Sequence, residues 1–258
     1  MFSIRPFDNY DYIARVFPAF LTMLPLIVAA LILSPKGLST SLIAGNLIVI
    51  ALLFAVMYLL ASVARSRGLR IEAKLLAKWG GWPTTILLRH SDTTIDRATK
   101  ARYHAALAVL SSDLRLPSAE AEKADPAAAD LIYRSATRRL IEARKAPEYG
   151  VLLSENASYG FRRNMLGILP IAVGVALGSA LVTGCVWCVQ NHAAFSTLRS
   201  LTVAATSSWL LLALVAFDLI WALILLSQIT PDFVLQASRG YAEALLKTLD
   251  RPATGANP

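Results

Sequence analysis

Residues 79–104 contain two histidines and six charged side chains, at a spacing that could recognise an anion. Ser91, Asp92 and Thr93 are good N-cap residues, so the sequence predicts a helix over about 94–110. Backbone N–H groups at a helix start favour negative ligands. We therefore expect this segment to hold a phosphate-bearing ligand, with the candidates His90, Asp92, Asp96, Arg97 and His104.

A solvated helix face is the alternative interpretation of the same residues. Asp96, Lys100 and His104 recur every four positions and share one side of the predicted helix. Ladders of this kind usually face water, where each pair stabilises the helix by only about 0.2–0.5 kcal/mol. A second helix is predicted over residues 127–145, and it has a basic face. We expect this face to be solvated as well, and contact with lipid headgroups is the alternative.

Asp218 is the only formally charged residue inside the four apolar stretches of the chain. A carboxylate in hydrocarbon costs at least roughly 2.5–3.5 kcal/mol, so it should face a bundle interior or a wet cavity, or carry a proton. Its partners would be hydroxyls, a backbone carbonyl, water or Asp218 of a second subunit. A pore-lining or proton-sensing carboxyl and a structural hydrogen bond to Ser or Thr remain alternatives. Asn46 is a weaker intramembrane polar candidate.

Catalytic and metal-binding motifs are missing from the sequence. It contains no P-loop, H-E-x-x-H, G-x-S-x-G or G-x-G-x-x-G arrangement, so we expect neither an enzyme nor a cofactor. Cys185 and Cys188 form a C-x-x-C pair, but zinc needs two further ligands and His192 supplies at most one. Small hydrophobic side chains are the expected role for both thiols, and a labile disulfide is the alternative if the helix frays. A membrane-bound hydrolase using His90, Asp92 and His104 is a remaining minor possibility.

The composition indicates that the surrounding elements cross a lipid bilayer. Hydrophobic residues make up 56% of the chain and charged residues 16%, with a mean hydropathy of +0.54. Four apolar stretches, at about 16–34, 42–63, 165–189 and 203–227, approach the roughly 20 residues that a spanning helix needs. The predicted fold is an all-α membrane protein with two transmembrane hairpins, at residues 1–63 and 164–227.

The charge distribution predicts the orientation. Residues 64–163 contain 18 Lys and Arg against 11 Asp and Glu, and basic residues cluster beside spans two and three. The insert, the N-terminus and the tail at 228–258 should therefore face the cytoplasm. Since the net charge of +8 is then mainly a topology signal, nucleic acid is a disfavoured partner. The insert is predicted to be mainly helical, with one short strand or extended loop at residues 82–90, after a helix that ends at Gly80 and Gly81.

Residues 154–164 lead into the third span and mix aromatic, amide, acidic and basic side chains. An interfacial anchor, with arginines snorkelling to the headgroups, competes with an element that couples the insert to the membrane. The candidate coupling residues are Glu155, Asn156, Tyr159, Arg162 and Arg163. Further along, Gly174 and Gly178 form a G-x-x-x-G pair, which favours close helix packing, either within one subunit or in a homo-oligomer.

Two motifs resemble those of bacterial inner-membrane proteins of uncharacterised activity. They are W-G-G-W-P-T-T at residues 79–85 with L-R-H at 88–90, and E-N-x-x-Y-G-F-R-R-N at 155–164. The resemblance implies a bacterial inner (plasma) membrane location and no particular activity.

The sequence therefore favours a protein whose cytoplasmic insert senses an anionic ligand or a protein partner and acts on a four-helix membrane unit, as a channel or another membrane effector. The alternative is a membrane-anchored scaffold whose insert recruits a cytoplasmic protein.

Overall fold

The computed structural model describes residues 9–33, 47–145, 147–192 and 196–250. It is 88% helical, and the described residues contain no strand. Within these ranges, a helical turn at Asn9–Asp11 and a π-helix at Tyr12–Val16 precede ten α-helices. These helices are α1 (Phe17–Leu33), α2 (Leu47–Trp79), α3 (Pro83–Leu88), α4 (Arg97–Leu110), α5 (Ala119–Ala124), α6 (Pro126–Ala143), α7 (Gly150–Gln190), α8 (Leu198–Ser207), α9 (Trp209–Gln228) and α10 (Pro231–Lys247). Single 3₁₀ turns lie at Pro147–Tyr149 and Thr248–Asp250.

Four of the helical segments are long and apolar enough to cross a membrane, as the sequence predicts. They involve α1, α2, α7 and α9. Helices α2 and α7 extend well beyond a bilayer's thickness, with 33 and 41 residues. The predicted first hairpin loop lies outside the described residues. The fourth span is shorter than predicted, because the chain leaves helical geometry at Ser208, which separates α8 from α9.

The chain forms two compact units. The first, here called the span unit, consists of residues up to Ile71 together with Phe161–Phe233. The second, the insert unit, consists of Glu72–Gly160 and the residues from Val234 onward. Each of the long helices α2 and α7 therefore contributes residues to both units.

Small and aliphatic side chains form the core of the span unit. Ala64 of α2 packs with Met165, Ile168 and Ala172 of α7 and with Leu225 of α9. Pro25 removes one backbone hydrogen bond within α1, and the carbonyl of Leu21 accepts one from the Trp221 indole instead, at 3.3 Å.

The insert unit has a hydrophobic core built by five helices. Its buried members include Leu88 of α3, Leu107 of α4, Tyr133 of α6, Leu152 of α7 and Leu246 of α10. The residues expected only as a C-terminal tail thus include an amphipathic helix that completes this core.

The prediction of a strand or extended loop at residues 82–90 is wrong. Pro83 occupies the first turn of α3, where its missing N–H costs nothing, and Trp82 is extended just before it. No strand in the described residues is present to pair with this segment, so a helix satisfies its backbone internally. The helix before it ends at Trp79 as predicted, and Gly80 and Gly81 both have positive φ angles.

Candidate functional site

The five residues predicted to bind a ligand line one cleft of the insert unit. The cleft has a volume of about 530 Å³. Its wall is formed by His90, Asp92, Thr93, Ile95, Asp96, Arg97, Lys100, Ala101, His104 and Ala119. The structure thus brings together residues from the loop after α3, the start of α4 and the start of α5.

The start of α4 differs from the prediction. The helix begins at Arg97, and its N-cap is Asp96, whose carboxylate accepts a hydrogen bond from the Thr99 N–H at 2.8 Å. Asp92 instead closes a local turn by accepting hydrogen bonds from the N–H and the hydroxyl of Thr94. An intramolecular carboxylate therefore occupies the helix start that the sequence seemed to offer to an external anion.

A bidentate ion pair fixes Arg89, the first residue of the loop between α3 and α4. The Arg89 guanidinium donates to both carboxylate oxygens of Asp130 on α6, at 2.8 and 2.6 Å. It also donates to the carbonyl of Gly80 at 2.8 Å. Because paired Arg–carboxylate bonds are among the strongest polar contacts in proteins, the turn after α2, the end of α3 and α6 are held together here.

Glu122 of α5 is a buried carboxylate beneath the same loop. It accepts hydrogen bonds from the N–H groups of His90 and Ser91, and from the hydroxyls of Ser91 and Tyr133. Burial alone would raise the pKa of Glu122, but these hydrogen bonds to the charged form lower it to about 2. Burial and the nearby Glu122 charge raise the pKa of Tyr133, which therefore remains a hydrogen-bond donor.

Lys100 is buried at 6% exposure, so the solvated face expected for it is wrong. Its ammonium group donates to the carbonyls of Arg89, the first residue of the loop between α3 and α4, and of Asp92, in the middle of that loop. The Asp92 carboxylate is 3.9 Å away. Burial lowers the pKa of Lys100, while the charges of Asp92 and Glu122 act in the opposite direction.

Both histidines present one ring nitrogen without a partner in the described residues. His90 Nε2 lies 3.1 Å from the carbonyl of Pro117, and His104 Nε2 lies 2.8 Å from that of Leu88. Because a carbonyl only accepts, each Nε2 carries the hydrogen, so Nδ1 is an acceptor whenever the ring is neutral. The rings contact edge to face at 4.7 Å, and burial lowers the pKa of His104.

Several of the junction residues before the third span contact other protein groups. In the insert unit, Tyr159 is 6% exposed and donates to Glu72 of α2 at 2.6 Å. Glu155 faces Gly240 of α10, and both line a cavity of about 710 Å³. Asn156 is half-buried on the same helix.

In the span unit, the next residues of α7, from Arg162 to Asn164, also contact protein groups. Arg162 donates to the carbonyl of Phe233 at 3.0 Å and stacks on its ring at 4.4 Å. Arg163 is 8% exposed and donates to Asn164 at 3.2 Å, so the predicted snorkelling is wrong for this side chain. Asn164 donates to the carbonyl of Ala14 at 2.6 Å. Ala14 lies in the π-helix, where the altered ladder leaves carbonyls available to side chains.

Two glycines that were not predicted as a pair permit a close crossing of α2 and α7. A methyl group at Gly167 would lie 2.7 Å from the Gly68 Cα, closer than real side chains approach. Arg67 donates to the Gly167 carbonyl at 3.0 Å beside this crossing. At Gly174 and Gly178, by contrast, an added methyl would meet no described atom within 4 Å. The predicted packing of this pair within one subunit is therefore not seen among the described residues.

Asp218 is fully buried and lies midway along α9, which begins at Trp209. Neither carboxylate oxygen has a hydrogen-bond partner among the described residues. Asn46 lies outside the described residues.

The described residues contain no group of three or more His, Cys, Asp and Glu side chains that could hold a metal ion. Cys185 and Cys188 are free and exposed on the intact end of α7.

No protein-family model, curated protein or solved structure matches this chain.

Proposed function

We propose that the insert unit binds a small anionic ligand in the cleft beside His90 and His104, and that binding alters the packing of the membrane-spanning helices. The observation that carries this proposal is the convergence of five candidate residues on one cleft. The protein would act as a ligand-gated channel or another membrane effector. In keeping with the basic flanks of spans two and three, the insert unit would face the cytoplasm of a bacterial cell.

The chemistry of the cleft supports a ligand with two kinds of polar group. Arg97 supplies an exposed cation for a phosphate or carboxylate, while the helix start beside it is already capped by Asp96. The Nδ1 atoms of the two histidines are acceptors for N–H or O–H donors. A nucleoside phosphate combines an anion with such donors, so it is a suitable class of probe.

Two helices support the proposed transmission. Helices α2 and α7 each contain residues of both units and remain helical throughout. A rotation or shift of such a helix at one end moves its other end unless the helix bends. Ligand binding would therefore change the environment of the spans through these two segments.

The binding step can be tested on the full-length chain in lipid nanodiscs by titration calorimetry with adenosine monophosphate and with inorganic phosphate. We expect Arg97→Ala to weaken binding of the nucleotide at least about tenfold, because it removes a charge-assisted hydrogen bond. Arg134→Ala removes an equally exposed arginine of α6 outside the cleft and should bind as the wild type. Equal loss in both variants, or no binding by the wild type, would contradict the ligand site.

The transmission step needs a separate measurement, namely planar-bilayer conductance of the purified chain with and without the nucleotide. Conductance that depends on the nucleotide and disappears in Arg97→Ala would support a gated pore. Binding without conductance would exclude the channel form. Stable capture of one cytoplasmic protein by the full chain, without small-ligand binding, would favour the scaffold alternative. The full chain is needed because α10 belongs to the insert-unit core.

A further inference from the structure

Asp218 is an acidic residue of the span unit, but it is buried in the way that is typical of an uncharged side chain. Asp218 is the tenth of the twenty residues of α9, and its exposure is 0%. Both of its oxygens are buried and lack hydrogen-bond partners in the described part of the chain. Among the described residues, an ionised carboxylate in this position would have no cation beside it, and the Ser179 hydroxyl would be the one donor near it.

Among the described residues, α1 and the part of α7 beyond residue 164 carry no acidic or basic side chain beside α9, and Arg199 of the neighbouring α8 is exposed. Helix α1 contributes Thr22, whose hydroxyl is bonded to the carbonyl of Pro18, and has no acidic or basic residue. On α7, Ser179 is the polar group that interacts with Asp218, and Thr183 is buried one turn further along. The only ionisable groups of α7 beyond residue 164 are the exposed thiols of Cys185 and Cys188 near its end.

We propose that Asp218 is an intramembrane proton-binding site that carries a proton in the resting bundle. A protonated carboxyl has an O–H donor and no net charge, so it fits an apolar interior. The hydroxyl of Ser179 is then the acceptor available to that O–H. This assignment does not depend on ligand binding by the insert unit.

Release of the proton would change the bundle as well as the side chain. The carboxylate formed has no cationic partner, so it requires water to enter between α7 and α9. Ser179 and Thr183 place two buried hydroxyls on the face of α7 that such water would wet. Proton release and hydration of the bundle are therefore coupled, which makes Asp218 a proton-dependent switch of helix packing.

Infrared difference spectroscopy tests the protonation state directly. The spectrum of the full chain in lipid nanodiscs at pH 7, minus that of Asp218→Asn, should contain the C=O stretch of a protonated carboxyl. We expect the same band when the spectrum of Asp218→Ala is subtracted instead, because both variants lack the carboxyl group. A carboxylate band in its place would overturn the proposal. The amide of the asparagine variant has the shape of the neutral acid, so this variant should retain the wild-type fold.

Carbodiimide labelling read by peptide mass spectrometry gives an independent measurement. A hydrophobic carbodiimide reacts with protonated carboxyls in an apolar phase, whereas a water-soluble one reaches exposed acids. Asp232, exposed at the start of α10, is the internal control for the water-soluble reagent. We expect that reagent to label Asp232 at least about tenfold more than Asp218. Equal labelling of both residues by the water-soluble reagent would show a hydrated Asp218 and would refute the site.

Discussion

Replacing Gly167 by alanine should separate α2 from α7 at their closest described approach. The added methyl carbon would lie 2.7 Å from the Gly68 Cα and 2.8 Å from the Arg67 carbonyl carbon. Both are backbone atoms, so no side-chain rotation relieves the overlap, and the helices must move apart by about 1 Å to reach ordinary contact. Overpacking of this kind costs about 1–3 kcal/mol.

Two further effects adjust this magnitude. Separation would lengthen the 3.0 Å hydrogen bond from Arg67 to the Gly167 carbonyl, which is worth about 1 kcal/mol. Alanine gains up to about 1 kcal/mol in helix propensity over glycine, which offsets that loss. We therefore expect a net destabilisation of about 1–3 kcal/mol.

Thermal unfolding of the detergent-solubilised chain, followed by tryptophan fluorescence, measures this effect. For a chain of this size, 1 kcal/mol corresponds to about 2–4 °C, so the midpoint should fall by about 2–12 °C. Gly174→Ala on the same helix is the matched control, because its methyl would meet no described atom within 4 Å. If both variants unfold at the same temperature, the steric reasoning is wrong.

Three other substitutions test the buried polar contacts. Because the folded pKa of Glu122 is about 2 and its unfolded value is 4.5, its stabilisation is complete above about pH 4.5 and is lost as the pH falls toward 2. In urea titrations between pH 2 and 6, Glu122→Gln should remove this acid dependence, and at pH 7 it should lower the free energy of unfolding by about 3 kcal/mol. The control Glu120→Gln, at an exposed position, should preserve the dependence. Lys100→Met leaves two loop carbonyls without their donor, so hydrogen exchange in residues 89–94 should accelerate, while the exposed Lys123→Met should leave it unchanged. Asn164→Asp cannot donate to the Ala14 carbonyl in its charged form and should lower stability by about 1–3 kcal/mol in the thermal assay, and a midpoint equal to that of Asn156→Asp would contradict this role.

The membrane helices were predictable because their signal is local. Apolar runs near the length of a bilayer need no knowledge of their neighbours, and the chain has four of them. Helix α3 was not predictable in this way, because its threonines and branched residue favour a strand while burial of Leu87 and Leu88 in a helical core decides otherwise. Helix α10 was missed for a related reason: its short amphipathic pattern stands in a terminal segment whose partners are distant in sequence.

The sequence predicted which residues line the candidate cleft, but it did not predict the burial or the hydrogen-bond partners of each one. The four-residue spacing correctly places Lys100 and His104 on one helix, with Asp96 as its N-cap, yet it cannot distinguish a solvated face from a buried one. That distinction depends on α5, which carries Glu122 to the underside of the loop. Sequence alone offers one signal for Glu122, the capping residue Ser118 that begins its helix.

Three charged side chains, of which Lys100 and Glu122 are buried, all contact the loop between α3 and α4. These contacts affect how the cleft would bind a ligand. Lys100 binds two loop carbonyls, Glu122 binds two loop N–H groups, and Asp130 holds the side chain of Arg89 at the loop's start. Most of these contacts are made to backbone atoms, so they fix the loop's conformation whatever side chains it displays to the cleft. A ligand that binds there would not have to order the loop first, and the conformational cost of binding would be small. Any movement that the ligand induces should consequently appear in the helices that adjoin the loop and not within the loop itself.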